Sequence, residues 1–308
     1  MKCTCTSKYR IEHDPQRSDE KTRQHPCFST EAHRQYGRIH LPVAPACNLS
    51  CNYCNRRFDC NNESRPGVAS ALLTPEEACR LYVRVRSRHD NIKVVGIAGP
   101  GDALANWPAT RQTIGMIKEM IPDTIFCLST NGLKLLKCAD ALLELGVKHI
   151  TVTVNSLKAA IGARIYQQVW FEGRRYDGAE GARLLIRNQL EAIQYLAGRG
   201  AVIKVNTVMI PGINDGHIPD IVKAVGARGA FISNIMPLIP APGSVFENAS
   251  PTAVHELHAM RQRCAPDLQQ MYHCRQCRAD AIGLLGKDLV MDGAGEELCP
   301  VKAIKKAI

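Results

Sequence analysis

The stretch GRIHLPVAPACNLSCNYC, running from Gly37 to Cys54, joins a strand signal directly to three cysteines. Ile39, Leu41 and Val43 alternate with Arg38, His40 and Pro42, which is the period-two pattern of a β-strand, interrupted near its end by proline. The strand leads into Cys47, Cys51 and Cys54 in a C-x3-C-x2-C spacing, so the cysteines are expected on the loop at its carboxyl end.

The chain on either side of this stretch is organised differently. Residues 1 to about 35 are polar and read as an irregular extension. After the cysteines, Thr74-Pro75-Glu76-Glu77 opens a helix: the threonine can accept a backbone N–H, proline suits the first helical position, and Glu77 can complete a capping box. Strands are then expected near Val94 to Ala98, Ile125 to Leu128, Ile150 to Val154, Val202 to Val208 and Phe231 to Met236, with helical stretches such as Leu133 to Leu145 and Ala182 to Ala197 between them. Strands that alternate with helices predict a parallel α/β sheet with crossover connections. Polar and glycine-rich residues recur just past the strand ends: Gly99 to Asp102, Thr130-Asn131-Gly132, Asn155 and Pro211 to Asp215. Parallel α/β folds gather such loops on one ligand face, so they are expected to share one site with the cysteines.

Composition narrows the function classes. With 308 residues, 45% of them hydrophobic, the chain can bury a sizeable core and is not a disordered protein. Its net charge of +10 is scattered and only 5% of residues are aromatic, so nucleic-acid binding is permitted without being indicated. Fourteen cysteines in short-range spacings, with no apolar leader, point to metal ligation in a reducing compartment. No apolar run reaches membrane-spanning length.

Three thiolates so close in sequence can hold three irons of a cubane and leave the fourth iron open to a ligand. A zinc site completed by Cys60 or a histidine competes on spacing alone. The combination of C-x3-C-x2-C, the aromatic Tyr53 before its last cysteine and the β/α pattern resembles the radical S-adenosylmethionine (SAM) superfamily. That resemblance implies a partial (βα)6 TIM-like barrel with amino- and carboxy-terminal extensions. It also implies a [4Fe-4S] cluster on Cys47, Cys51 and Cys54 whose open iron chelates SAM and whose electron cleaves it to a carbon radical.

Flanking words carry a narrower resemblance. His25-Pro26-Cys27, Ala44-Pro45-Ala46-Cys47, the run Asn55 to Cys60, Asn62 to Val68, Ala98-Gly99-Pro100-Gly101-Asp102, Ser129-Thr130-Asn131-Gly132 and Cys274-Arg275-Gln276-Cys277 are similar to the NifB family of nitrogenase cofactor maturases. The likeness runs from about residue 25 to 285 and implies the standalone form, without the carboxy-terminal carrier domain of many members. It implies two auxiliary [4Fe-4S] clusters that serve as substrate. One is expected on His25, Cys60 and Cys127 and the other on Cys27, Cys274 and Cys277, with His25 and Cys27 exchangeable. A neutral imidazole releases iron more readily than a thiolate, which suits a cluster that must leave. A surface zinc knuckle is the bland account of Cys274 and Cys277. Glu63 and Arg65 are expected to act at the fusion site, against the alternative of a solvated ion pair. Gly99, Gly101 and Asp102 are expected at the methionine amino group of SAM, Asn155 at a ribose hydroxyl, Ser129 and Thr130 facing the cofactor, and Met209 with its neighbours against adenine. Cys79 and Cys138, inside expected helices, read as small buried hydrophobes; Cys3 and Cys5 are given no role.

The reaction that the family implies is methyl transfer from one SAM to a cluster sulfide, followed by hydrogen abstraction using a second. Fusion of both clusters with an added sulfur then gives an eight-iron core around a carbide. The partners implied are an iron–sulfur cluster donor, an electron donor such as ferredoxin or flavodoxin, and a carrier or scaffold that accepts the product; no nucleic acid or membrane is expected, and the setting is cytoplasmic and anaerobic. The rivals are a radical SAM enzyme that modifies RNA or peptide, and a non-catalytic cluster carrier. The domain boundaries expected are an extension over 1–36, the barrel over 37–245 and a second extension over 246–308, the extensions carrying auxiliary-cluster ligands.

Overall fold

The computed structural model describes residues 19–61, 68–291 and 297–298. Glu63 and Arg65 lie outside the described residues, as do Cys3, Cys5 and Cys299.

In chain order, a single helical turn α1 (Glu20–Arg23) precedes β1 (Gly37–His40) and the short β2 (Leu49–Cys51). Then follow α2 (Pro75–Arg88), β3 (Ile92–Ile97), α3 (Trp107–Met120), β4 (Ile125–Thr130), α4 (Leu135–Glu144) and β5 (His149–Thr153). The hairpin β6 (Tyr166–Phe171) and β7 (Arg174–Asp177) lies between α5 (Ala159–Ile165) and α6 (Gly178–Ala197). The chain continues through β8 (Val202–Met209), α7 (Ile218–Gly226), β9 (Ile232–Pro237) and α8 (Val254–Cys264). It ends in β10 (Ile282–Leu284), β11 (Lys287–Asp288) and the small ribbon of β12 (Val290–Met291) and β13 (Glu297–Leu298).

Six parallel strands, β1, β3, β4, β5, β8 and β9, stand side by side in chain order, which gives the partial TIM-like barrel expected. Helix α2 begins as read: Thr74 Oγ1 accepts the Glu77 N–H, the Glu77 carboxylate accepts the Thr74 N–H, and Pro75 takes the first position. Strand β1 pairs only as far as His40, two residues short of Pro42, which has no N–H to continue the ladder. Two features were not expected. Strand β10 pairs antiparallel with β1 and extends the sheet, and β2, inside the cysteine loop, forms a separate sheet with β6 and β7. A three-residue strand is too short to show a period, and the β6–β7 turn relies on positive φ at Glu172 and Gly173.

Alternation along the strands sorts side chains into two layers. Ile39, Val95, Phe126, Leu128, Ile150, Val152, Ile203 and Val205 point outward and pack with the helices into the main core. Each such side chain contributes roughly 1.5–3 kcal/mol on burial. Their neighbours Arg38, His40, Cys127, Thr151, Lys204, Asn206 and Asn234 line the inside of the barrel. The polar half of the pattern therefore faces a cavity and not solvent. Cys79, Cys138 and Cys264 belong to the apolar core, as small hydrophobes do.

Gly115 in α3 has open space where a Cβ would stand. Gly115→Ala should therefore stabilise the apo chain by about 0.5–1 kcal/mol through a less flexible unfolded state. Thermal denaturation followed by circular dichroism should show a raised midpoint.

Candidate active site

Two adjoining recesses occupy the carboxyl ends and interior of the barrel. The first is lined by Cys47, Cys51 and Cys54 together with Leu49, Tyr53, Arg56, Cys60, Gly101, Asp102 and Asn131. Pairing of β2 with β6 fixes the first two cysteines: Cys51 stands opposite Tyr166, and Leu49 opposite Val169. Tyr53 is fully buried behind the thiols, its hydroxyl receiving a hydrogen bond from Asn155 Nδ2 at 2.9 Å. Burial raises the thiol of Cys47 to about 12, with the Asp102 carboxylate adding to the shift, and pushes Cys51 well above the ordinary thiol range. Cys54 is raised as well, with the Arg56 guanidinium opposing the change. Buried thiols of this kind stay protonated until a metal displaces the proton. Among the described residues no three His, Cys, Asp or Glu side chains converge tightly enough for a single ion. Cys47, Cys51 and Cys54 line one recess together, a donor set that suits an iron–sulfur cluster.

Asp102 holds this recess together from within. Its Oδ1 accepts the N–H groups of Leu104 and Ala105, at 2.9 and 3.0 Å. Its Oδ2 accepts Thr130 Oγ1–H at 2.9 Å and the Asn131 N–H at 2.7 Å. The carboxylate is 4% exposed, and burial raises its pKa against the opposing pull of those donors. Asn131 Nδ2 in turn donates to Asn48 Oδ1 at 2.6 Å, beside Cys47. The loops after β1, β3 and β4 are thus tied to one carboxylate.

Several expected cofactor contacts change in this light. Asp102 lines the recess, and both of its oxygens accept hydrogen bonds from the protein, which orders the loops around it. Thr130 is buried in the same network, its Oγ1 also accepting the Gly132 N–H, and does not face the recess. Asn155 is fully buried; besides serving Tyr53 it accepts the Val208 N–H. Met209 packs in the outer core, while its neighbours Val208 and Ile210 fall on the side of the cysteines, as period two requires. Gly101 borders the recess, whereas Gly99 packs against Ala279. Ser129 borders the second cavity.

That second cavity gathers His25, Cys27, Cys127, Cys274 and Cys277 with Arg38, His40, Asn61, Ser129, Thr151, Lys204, Asn206, Asn234 and Arg275. The cysteines come from three places: the amino-terminal segment, strand β4 and the carboxy-terminal segment. His273 joins the two terminal segments, its Nε2 lying 3.0 Å from the Pro26 carbonyl. Phe28 and Met271 pack together beneath, with Cys27, Cys127 and Cys274 against them. Cys60 borders the first recess and the next residue, Asn61, the second, so this segment stands where the two meet. The expected grouping of Cys60 with His25 and Cys127 therefore spans the boundary.

Buried polar atoms without a hydrogen-bond partner collect around this cavity: His25 Nε2, Arg38 Nε, Asn61 Oδ1, Thr151 Oγ1 and Asn234 Oδ1. Leaving such atoms unpaired costs about 1–3 kcal/mol each. The cavity is thus chemically incomplete without a polar or metallic inclusion. Burial holds the His25 imidazole well below the ordinary histidine range, aided by His149 and Lys204. His25 Nδ1 accepts the Cys27 N–H at 3.1 Å, so a metal at Nε2 requires the proton to move to Nδ1 and this hydrogen bond to be given up.

Residues 41–225 match the Radical SAM superfamily. The chain belongs to that superfamily. Superfamily membership implies a four-iron cluster and SAM. This radical SAM chain is 53% identical to the FeMo cofactor biosynthesis protein NifB of Klebsiella pneumoniae over 87% of its own length and 58% of the relative's. It is 45% identical to the NifB of Azotobacter vinelandii over 90% of its own length and 56% of the relative's. The resemblance read from the flanking words is borne out. The chain spans a little over half the length of these relatives. Among solved structures, SuiB of Streptococcus suis bound to S-adenosylmethionine shares the fold at a TM-score of 0.53, with 13% identity over 78% of this chain and 52% of that one.

The sequence reading missed Arg38, His40, Asn61, Lys204, Asn206, Asn234 and Arg275 as cavity-lining residues. Those on strands occupy the polar positions of the alternation, a signal that was present, but period two does not say whether a polar face meets water or a cavity.

A Cβ on Gly101 would stand 2.1 Å from the Ala46 carbonyl oxygen and 2.8 Å from that of Pro45, both backbone atoms next to Cys47. Gly101→Ala should displace the cysteine loop and lower anaerobically reconstituted iron by about four per chain, while Gly115→Ala retains full iron. Asp102→Asn, which places a donor among donors, should also lose this iron and lower stability by roughly 1–3 kcal/mol. Iron assay and denaturation of the purified variants check both.

Proposed function

We propose that this chain is a NifB-type maturase that takes two [4Fe-4S] clusters as substrate and fuses them, with a SAM-derived carbon and one added sulfur, into an eight-iron nitrogenase cofactor precursor. The observation that carries the reading is the second cavity, where thiols and an imidazole from both terminal segments and β4 surround unpaired buried polar atoms next to the Cys47, Cys51 and Cys54 recess. High identity to NifB proteins supports the same assignment.

On this reading Cys47, Cys51 and Cys54 hold the SAM cluster, His25, Cys60 and Cys127 one substrate cluster, and Cys27, Cys274 and Cys277 the other. Cluster and SAM, when bound, supply the electron and the reactive carbon. The chain's own residues do the rest. Asp102 and Asn131 fix the motif loop, Tyr53 and Asn155 back the thiols, and the apolar outer layer keeps bulk water from the interior. Positioning of this kind replaces a bimolecular encounter with a defined geometry. His25 is suited to release its iron, because ligation there costs it the hydrogen bond from Cys27. Glu63 and Arg65, close in sequence to Cys60, complete the proposed fusion site. The partners proposed are a cluster donor, a low-potential electron donor and a carrier that accepts the product, in an anaerobic cytoplasm. No helix among the described residues is long and apolar enough to cross a membrane.

The test is anaerobic turnover with reductant and methyl-labelled SAM. The protein should release 5′-deoxyadenosine and carry the label into an iron–sulfur product, and Cys51→Ala should abolish both, a loss of at least about 10²-fold. Label in RNA or peptide with none in the metal product would overturn the proposal, as would turnover unaffected by the cysteine substitution.

A further inference from the structure

Arg38 is the most deeply buried cation of the chain's interior, 1% exposed on the first strand of the barrel. Its guanidinium is shared among four partners of three kinds. Nη1 donates to the carbonyls of Gly283 and Leu284, at 2.7 and 3.3 Å. Nη2 donates to Asp288 Oδ1 at 2.6 Å and to Cys277 Sγ at 3.1 Å. Nε is buried without a partner among the described residues, and the residue lines the second cavity. Cys277 itself lies on a segment with no regular secondary structure, between α8 and β10.

A guanidinium taken out of water needs anionic or dipolar partners around its whole edge. Asp288 supplies one charge, but its side chain is 33% exposed and looks toward solvent. Sulfur accepts weakly as a thiol and strongly as a thiolate, because the hydrogen bond is then charge-assisted. The fork is therefore matched to a sulfur carrying negative charge, which is the state of a cysteine bound to iron. It also reaches Cys277 and the β10–β11 hairpin at once, so one side chain on a rigid strand fixes the ligand and the segment that follows it.

We infer that Arg38 is a positioning residue for Cys277, holding its sulfur toward the cavity and hydrogen-bonding it while iron is bound. The inference rests on the proposed reading of Cys277 as a cluster ligand. The same N–H···S bond draws charge from the cluster and so makes it easier to reduce.

The test uses the full chain carrying Cys47→Ala, Cys51→Ala and Cys54→Ala, reconstituted anaerobically so that only auxiliary clusters load. In this background Arg38→Met should keep both clusters, with one of them losing iron to a chelator about tenfold faster and showing a more negative midpoint potential in an EPR-monitored titration. Arg38→Lys, which keeps the charge and loses the fork, should fall between. Asp288→Asn loosens the hairpin but spares the bond to sulfur, so it should leave the potential at the parent value; a merely structural role for Arg38 would make it behave like Arg38→Met. Cys277→Ala separates the two levels of the reading. If it leaves iron content unchanged, Cys277 is not a ligand and the reading on which the inference rests fails. If it removes one cluster but Arg38→Met and Arg38→Lys leave release rate and potential untouched, the role given to Arg38 is overturned. Failure of both Arg38 variants to fold would make the residue structural and overturn it equally.

Discussion

The barrel interior of this protein cannot be packed dry. Arginine, histidine, lysine, threonine and asparagine side chains stand on the inward positions of β1, β5, β8 and β9, where a TIM-like barrel ordinarily carries layers of branched hydrophobes. Several of their atoms find no partner within the chain. At roughly 1–3 kcal/mol for each unsatisfied group, that face is a standing cost against a native state that is only marginally stable. The outward face of the same strands offsets it through the continuous apolar layer shared with α2 to α4 and α6 to α8. The division of labour between the two faces is what lets a rigid shell surround a reactive hollow.

Within that shell, polar bonding substitutes for covalent bracing. Asp102 collects donors from the loops after β3 and β4, and Asn131 passes the connection to the loop after β1. Tyr53, Asn155 and the Val208 N–H form a second chain of bonds, from behind the motif cysteines across to β8. Because each carboxylate or amide oxygen in these chains is already occupied, the groups are poor partners for a bound cofactor and good ones for fixing its surroundings.

The legibility of the sequence followed the range of the interaction responsible. Strand and helix positions, the capping box at Thr74 and the cysteine motif depend on neighbours a few residues apart, and they were readable. So was the likeness to NifB, because it resides in contiguous words. Strand β10 beside β1, the β2–β6 pairing and the Arg38–Asp288 ion pair join residues more than a hundred positions apart in sequence, and no local pattern announces them. Arg38 and Lys204 illustrate the limit well: as polar residues in alternating strands they look like solvent-facing positions, and only closure of the barrel turns them inward. Cys127 was named only through the family resemblance; the alternation then sets it on the cavity side with Arg38 and Lys204.

The placement of the cavity-lining thiols has a consequence for how anything held there could leave. Cys127 belongs to a central strand bonded on both sides, by β3 and β5, and cannot move without disrupting the sheet. His25, Cys27, Cys274 and Cys277 belong to terminal segments outside the β/α repeat, tied to each other and to the barrel by contacts such as His273 to Pro26 and Arg38 to Cys277. Segments with few regular hydrogen bonds open at lower free energy than central strands. On the proposed reading, a fused product is therefore released most readily by parting the terminal segments, with the barrel, the motif loop and the SAM cluster left in place for another cycle. On that reading the motif loop and the sheet that carries Cys127 stay in place, and only the ligands on the terminal segments give way.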